Sequence, residues 1–97
     1  MYLKVHRTPA GDEVVAVCDS DLLDTRLQHG EIEIHVSESF YGKNPATEEE
    51  VRDALRYAGN INLIGERAVA VAIGMGLIES TGCIRIGSVP HAQIIRL

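Results

Sequence analysis

Alternating hydrophobic and polar residues predict three β-strands in the first part of the chain. Residues 2–7 alternate, and residues 13–18 are rich in β-branched side chains, so each segment favours a strand. Pro9 and Gly11 lie between them and favour a turn, which makes the pair a predicted hairpin. Residues 31–36 alternate most regularly, with isoleucine and valine on one face and glutamate and histidine on the other. We expect the polar face of this third strand to meet solvent.

Three other segments predict helices. Asp19 is a suitable N-cap for a short helix that ends at Gly30. Thr47 begins the sequence Thr-Glu-Glu-Glu, a capping box that predicts a helix up to Gly59. A third helix is predicted over residues 65–75. Its Ala-Val-Ala-Val-Ala-Ile run also alternates like a strand, but we prefer a helix because alanine is the best helix former.

The remaining pattern completes an α+β domain. Residues 37–46 predict a loop centred on Phe-Tyr-Gly, and residues 60–63 predict a short extended segment. Residues 83–86 and 92–96 predict two short strands. The order ββαβααββ implies a single compact α+β domain over residues 1–97, in which about three helices cover one face of a small mixed β-sheet.

The charge distribution limits the class of partner. The net charge is −5, and residues 1–59 hold six basic and twelve acidic side chains, whereas residues 60–97 hold three and two. General duplex-DNA binding is not expected, because proteins of that class present a basic surface. Contact with RNA through a small patch stays open, as does an acidic face that meets a basic partner protein.

The chain shows no sign of secretion or membrane insertion. Its first residues, Met-Tyr-Leu-Lys-Val, are unlike a signal peptide, and the longest apolar run, residues 68–78, is too short and glycine-rich to span a membrane. Cys18 and Cys83 are isolated in sequence, which indicates buried thiols in a reducing compartment, although a disulfide stays open. We therefore expect a cytoplasmic protein without membrane contact.

Familiar catalytic and nucleotide-binding motifs are absent. The chain lacks GxxxxGK[ST], HExxH, GxSxG and an EF-hand loop, and residues 74–79 break the GxGxxG pattern at its last position. The four histidines are dispersed in sequence, so neither a metal site nor a cofactor is predicted. Whether the protein is an enzyme stays open.

Polar and aromatic residues beside apolar segments form the candidate site. The free amides at the start of the third predicted helix favour an anion, which Arg67 could also bind. Glu66 also suits a first-turn acid that only stabilises the helix, and the two nearby asparagines also suit turn-stabilising roles. His91 follows Pro90, which stiffens the start of the last strand, but His91 also suits a purely structural hydrogen bond. The candidate binding residues are Phe40, Tyr41, Asn60, Asn62, Gly65, Glu66, Arg67 and His91.

Three blocks of these residues carry a family resemblance. SESFYG at 37–42, NINLIGER at 60–67 and IGSVPHAQ at 86–93 resemble the blocks of a small archaeal family, domain of unknown function 424. The resemblance spans essentially the whole chain. It implies an archaeal cytoplasmic protein of a compact α/β type. It brings no established activity, so no catalytic role passes to any residue.

Three functions are compatible with these features. The first is a non-catalytic interaction module, associated with translation or RNA handling in an archaeon, whose partner is a protein or an RNA. The second is a small enzyme or binding protein for an anionic metabolite with a phosphate or carboxylate group, in which Glu66 or His91 acts as acid or base. The third is a structural homodimer formed through the apolar C-terminal third. We prefer the first, because the candidate residues lie in predicted loops without a recognisable catalytic set.

Overall fold

A five-stranded mixed sheet forms the centre of the computed structural model, which describes residues 1–97. The elements follow one another in the order β1 (Tyr2–Arg7), β2 (Glu13–Cys18), β3 (Arg26–His29), β4 (Ile32–His35), α1 (Glu38–Tyr41), α2 (Glu48–Leu55), β5 (Asn60–Ile64), α3 (Glu66–Gly74), β6 (Ile84–Ile86) and β7 (Val89–Ile95). The sheet has the strand order β1-β2-β5-β7-β6, in which only β2 and β5 pair in parallel. The α+β class and the mixed sheet are thus confirmed.

Helices α2 and α3 cover one face of the sheet. Aliphatic residues at alternate positions of the strands point to this side, and they bury the apolar faces of both helices. This core consists of Val15, Val17, Val51, Leu55, Ile61, Leu63, Ala68, Val69, Val71, Ala72, Ala92 and Ile94. Much of the apolar C-terminal third is therefore used inside its own chain.

The opposite face of the sheet is covered by α1 and by a separate hairpin of β3 and β4. A smaller core lies between these elements and the sheet. Its buried members are Ala16, Cys18, Val36, Tyr41, Ile64 and Ile86. The sheet is therefore the middle of three layers, and its second cover is a β-hairpin that the sequence analysis did not predict.

The helix predicted over residues 19–30 is wrong. Only Ser20–Leu22 form a single 3₁₀ turn, and Asp24 then adopts a φ of 63°, which ends it. The amide of Asp24 donates to the carbonyl of Val36 at 2.7 Å, and the amide of Val36 donates to the carbonyl of Thr25 at 2.9 Å. These bonds lead into the β3–β4 pairing, so long-range strand pairing overrides the helical spacing of the leucines.

Two element boundaries also differ from the predictions. Phe40 and Tyr41 lie in the short helix α1 rather than in a loop, because the hydroxyl of Ser37 accepts a hydrogen bond from the Phe40 amide and caps the turn. The last strand, β7, begins at Val89 rather than at residue 92, because residues 89–91 already pair with β6.

Helices α2 and α3 form in the segments that the sequence predicts, but α2 ends at Leu55, before the predicted end at Gly59. In the capping box of α2, the Glu50 amide donates to Thr47 Oγ1 at 3.1 Å, and the Thr47 amide donates to Glu50 Oε1 at 3.0 Å. The hydrogen bonds from Thr47 favour the ionised carboxyl and lower the pKa of Glu50. The alternating segment 68–73 is helical and supplies the buried face of α3.

Asp19 connects the ends of β2 and β5 with the start of α3. Its buried carboxylate accepts hydrogen bonds from the amides of Arg67, at 3.0 Å, and Ala68, at 2.8 Å. These two amides belong to the first turn of α3 and have no partner within the helix. The Asp19 amide also donates to the carbonyl of Ile64 at 3.1 Å. A residue far away in sequence therefore caps α3, in place of the local residue Gly65.

Gly65 is required by this long-range cap. Its φ is 112°, a conformation that glycine adopts far more readily than other residues. A Cβ atom at this position would lie 2.3 Å from Cγ of Asp19. The glycine that the sequence places at a candidate anion site thus leaves space for an internal carboxylate.

The two cysteines are free thiols in different environments. Cys18 is buried in the sheet, and burial raises the pKa of its thiol to about 11. Cys83 is half-buried, and its Sγ lies 3.8 Å from the carbonyl oxygen of Glu79. The thiol of Cys18 is therefore protonated over the physiological pH range.

The substitution Gly65→Ala should lower the free energy of unfolding by about 3 kcal/mol or more, because steric overlap with Asp19 adds to backbone strain. Gly11→Ala is the matched control, since Gly11 has a φ of 90° and no heavy atom within 4 Å of an added Cβ. Its loss should be about 1–2 kcal/mol, from backbone strain alone. Urea unfolding measures both values. Equal losses would contradict the steric role of Gly65.

Candidate functional site

A pocket lies between the β3–β4 hairpin and the sheet face that the hairpin covers. Its volume is about 360 Å³, near the lower end of the range of roughly 300–1,000 Å³ that is typical of ligand sites. Hydrophobic side chains make up most of its surface, and no lysine, arginine, aspartate or glutamate lines it. The lining residues are His29, Ile32, Ile34, His35, Val36, Phe40, Tyr41, Asn62, Ile64, Ile84, Ile86 and His91.

Tyr41 and Asn62 form a hydrogen-bonded pair in this pocket. The hydroxyl of Tyr41 donates to Oδ1 of Asn62 at 2.7 Å. Burial raises the pKa of the Tyr41 phenol well above its ordinary value, so the hydroxyl stays protonated and continues to donate. The Nδ2 amino group of Asn62 has no partner in the protein and is not fully buried. Two further hydrogen-bond donors of Asn62 are therefore open to the pocket.

His91 is a close neighbour of Asn62 on the sheet. In the pairing of β5 with β7, His91 lies opposite Ile64, and Asn62 is two residues earlier on the same face of β5. His91 is half-buried, and this burial lowers its pKa because it disfavours the charged imidazolium. Its ring nitrogens make no hydrogen bond within the protein. The neutral ring therefore offers one donor and one acceptor.

Phe40 is held in the pocket wall by contacts between α1 and β1. Nε2 of His6 lies 2.6 Å from the carbonyl oxygen of Phe40, and the two rings stack with centroids 5.0 Å apart. The ring of Phe40 also meets Tyr41 edge-on at 4.9 Å. Nζ of Lys4 donates to the carbonyl of Ser39 at 2.9 Å. These bonds give the aromatic wall a defined position against the sheet.

Exposed residues surround the mouth of the pocket. Ile32 on β4 and Ile84 on β6 are 62% and 59% exposed. They extend the apolar surface of the pocket to the outside of the protein. His29 and His35 lie on the hairpin, and Nε2 of His35 is 3.5 Å from Oδ1 of Asp24. The mouth thus combines apolar side chains with imidazoles.

Half of the candidate residues meet in this pocket. The four that line it are Phe40, Tyr41, Asn62 and His91. The four that lie elsewhere are Asn60, Gly65, Glu66 and Arg67.

The candidate residues outside the pocket line other clefts on the protein surface. Oε1 of Glu66 accepts a hydrogen bond from Nη1 of Arg85 at 3.2 Å. The side chain of Arg67 lines a different cleft, on the helical side of the sheet, so Arg67 and His91 do not form one site. Asn60 is the first residue of β5, at the opposite end of the strand from Gly65 and α3. Its buried Oδ1 has no hydrogen-bond partner within the protein.

The sequence analysis missed the half of the pocket that the hairpin supplies. His29, Ile32, Ile34 and His35 all lie on β3 or β4. One signal was present, because a two-residue turn that contains Gly30 separates the paired strands, and such turns are typical of hairpins. The helix assigned to this segment hid that signal.

No group of three or more histidine, cysteine, aspartate or glutamate side chains is arranged to hold a metal ion. No helix has both the length and the apolar character needed to cross a membrane.

Fold and site together define a three-layer α+β protein whose hairpin and sheet form the walls of a largely apolar pocket. The chain belongs to the family described as "Protein of unknown function (DUF424)", whose sequence model matches residues 6–97. It is similar to an uncharacterized conserved protein from Methanopyrus kandleri of known crystal structure, with 31% identity and a TM-score of 0.79 over 99% of this chain and 93% of that one. No curated protein matches the chain. The family resemblance predicted from the sequence is therefore confirmed.

The lowered pKa of His91 predicts a pH-dependent stability. The unfolded imidazole takes up a proton as the pH falls through about 6.5, whereas the folded one resists protonation, so acidification favours the unfolded chain. The unfolding free energy of the native protein, measured in urea between about pH 5 and 8, should fall relative to that of His91→Gln on the acidic side. A difference between the two proteins that is constant with pH would contradict this prediction.

Proposed function

We propose that the protein is a non-catalytic interaction module that contacts its partner through the pocket and its apolar mouth. The observation that carries this proposal is the continuity of the pocket with the exposed side chains of Ile32 and Ile84. Binding surfaces commonly combine an apolar centre with a few well-placed polar groups. Here Asn62 and His91 supply the polar groups inside the pocket.

The composition of the pocket favours binding over catalysis. Its lining contains no serine, threonine, cysteine, aspartate or glutamate, so His91 has neither a nucleophile to activate nor a carboxylate to orient it. The phenol of Tyr41 already donates to Asn62, and its raised pKa makes it a poor source of a catalytic proton at neutral pH.

The cellular setting in this proposal is the cytoplasm of an archaeon, in translation or RNA handling. The archaeal part is supported by the similar protein from Methanopyrus kandleri. The partner in the proposal is a protein or an RNA. The net charge of −5 favours a protein with basic groups around its contact, because an acidic chain repels the phosphates of RNA.

The geometry favours neither of the two alternatives. An anionic metabolite would meet no lysine or arginine in the pocket, and two first-turn amides of α3 that could hold an anion, those of Arg67 and Ala68, are bound by Asp19. A homodimer through the apolar C-terminal third has a reduced apolar surface available, because much of that segment is buried in the core of its own chain and only Ile73, Ile84, Ile95 and Leu97 remain exposed as large hydrophobic residues.

The substitutions Ile32→Asp and Ile84→Asp should each reduce recovery of the specific partner by about tenfold or more, because a carboxylate would replace apolar contact at the mouth. Ile95→Asp is the matched control, since Ile95 is 61% exposed and does not line the pocket. The measurement is quantitative pull-down of tagged full-length chain from archaeal lysate, with and without nuclease.

Circular dichroism and thermal unfolding would verify that all three variants fold. Nuclease treatment distinguishes the two classes of partner, because only an RNA-dependent association is lost. Equal recovery by the two mouth variants and by Ile95→Asp would contradict the proposed surface.

A further inference from the structure

The pocket contains polar groups that the fold itself leaves unpaired. Oδ1 of Asn62 is bound by Tyr41, but the Nδ2 group of Asn62 and both ring nitrogens of His91 have no partner in the protein. The two residues are diagonal neighbours on one face of the sheet. Together they present donors and an acceptor along one side of the pocket.

The lining of the pocket carries no fixed charge. It has no lysine, arginine, aspartate or glutamate side chain, and burial favours the neutral form of His91. A charged group placed here would lose its hydration without meeting a counter-charge, which is strongly unfavourable. The ligand group that the pocket accepts is therefore uncharged.

The remaining walls suit the faces of a flat ring. Aliphatic side chains from the hairpin and the sheet line the pocket, together with the ring of Phe40. The volume of about 360 Å³ is sufficient for a ring system of drug-fragment size with a substituent. A saturated hydrocarbon would leave Asn62 and His91 without partners, and an indole could donate to the acceptor of His91 but would offer no acceptor to the donors of Asn62.

We propose that the pocket binds the uncharged base of a free nucleoside, with the hydrogen-bonding edge of the base against Asn62 and His91. Nucleobases combine flat apolar faces with adjacent donors and acceptors on one edge. The faces would meet the apolar walls of the pocket, and the edge would meet Asn62 and His91. A free nucleoside is favoured over a nucleotide or RNA, because no lysine or arginine lines the pocket and the chain has a net charge of −5. This inference goes beyond the proposed function, since it assigns a small ligand to the inside of the pocket, whereas the macromolecular partner would meet the mouth formed by Ile32 and Ile84.

The test is a titration of ¹⁵N-labelled full-length protein with adenosine, guanosine, cytidine and uridine, followed by NMR. At least one nucleoside should cause saturable shifts at the Asn62 side-chain amide and at His91. The substitution Asn62→Asp should weaken that binding by about tenfold or more, because it removes the Nδ2 donors and adds a charge while keeping an acceptor for Tyr41.

Gln93→Glu is the control for this change. Gln93 pairs with Asn62 across β5 and β7 and undergoes the same amide-to-acid replacement, but it is exposed and does not line the pocket. Binding by Gln93→Glu should equal that of the unchanged protein.

Three results would overturn the inference. The first is the absence of saturable shifts with all four nucleosides at millimolar concentration. The second is tighter binding of the matching 5′-monophosphate or of a short single-stranded RNA, which would identify a nucleotide site. The third is equal binding of N-acetyltryptophanamide that Asn62→Asp does not weaken, which would identify an aromatic side chain of a partner protein. If partner capture still depends on Ile32 and Ile84 in any of these cases, the proposed function stands and only the nucleoside is rejected.

Discussion

The hydrogen bonds from the first turn of α3 to the carboxylate of Asp19 connect the helical layer of this protein to the sheet. Because β2 and β5 are parallel, both strands end at the same edge of the sheet, and a side chain just after β2 can reach the helix that follows β5. The carbonyl of Asp19 also accepts a hydrogen bond from the Leu22 amide at 3.0 Å, which forms the turn toward the hairpin. One residue thus fixes the start of α3 on one face and the path of the chain onto the other.

That path determines the shape of the pocket, because the hairpin forms its outer wall. Ile34 and Val36 pack against the smaller core, which includes Ile64 of β5. A Cβ atom at Gly87 would lie 3.3 Å from the carbonyl oxygen of Gln28, so the glycine in the β6–β7 turn lets the hairpin approach closely. The pocket therefore depends on the same connection between β2 and the hairpin that Asp19 begins.

Local signals in the sequence predicted most of the elements, whereas long-range pairing decided those that were missed. The capping box at Thr47 predicted α2 correctly, because its bonds join residues three positions apart. Asp19 suits a local helix cap equally well, and only the pairing of β2 with β5 brings it to α3 instead. For the site, Asn62 and His91 stood out as polar residues in apolar segments, but nothing local indicated that a hairpin would enclose them.

The position of His91 is better explained by binding than by folding. Across β6, β7 and β5 the register places His91 between Ile84 and Ile64, where an aliphatic residue would complete an apolar row. The half-buried imidazole at this position makes no hydrogen bond to the protein, and its ring nitrogens are not fully buried. The Tyr41 hydroxyl satisfies Oδ1 of Asn62, and the first-turn amides of α3 satisfy the carboxylate of Asp19. The ring nitrogens of His91, by contrast, have no hydrogen-bond partner within the protein. Natural proteins depart from their most stable sequence chiefly where function requires it, so the interrupted row supports the proposed ligand contact at this part of the sheet.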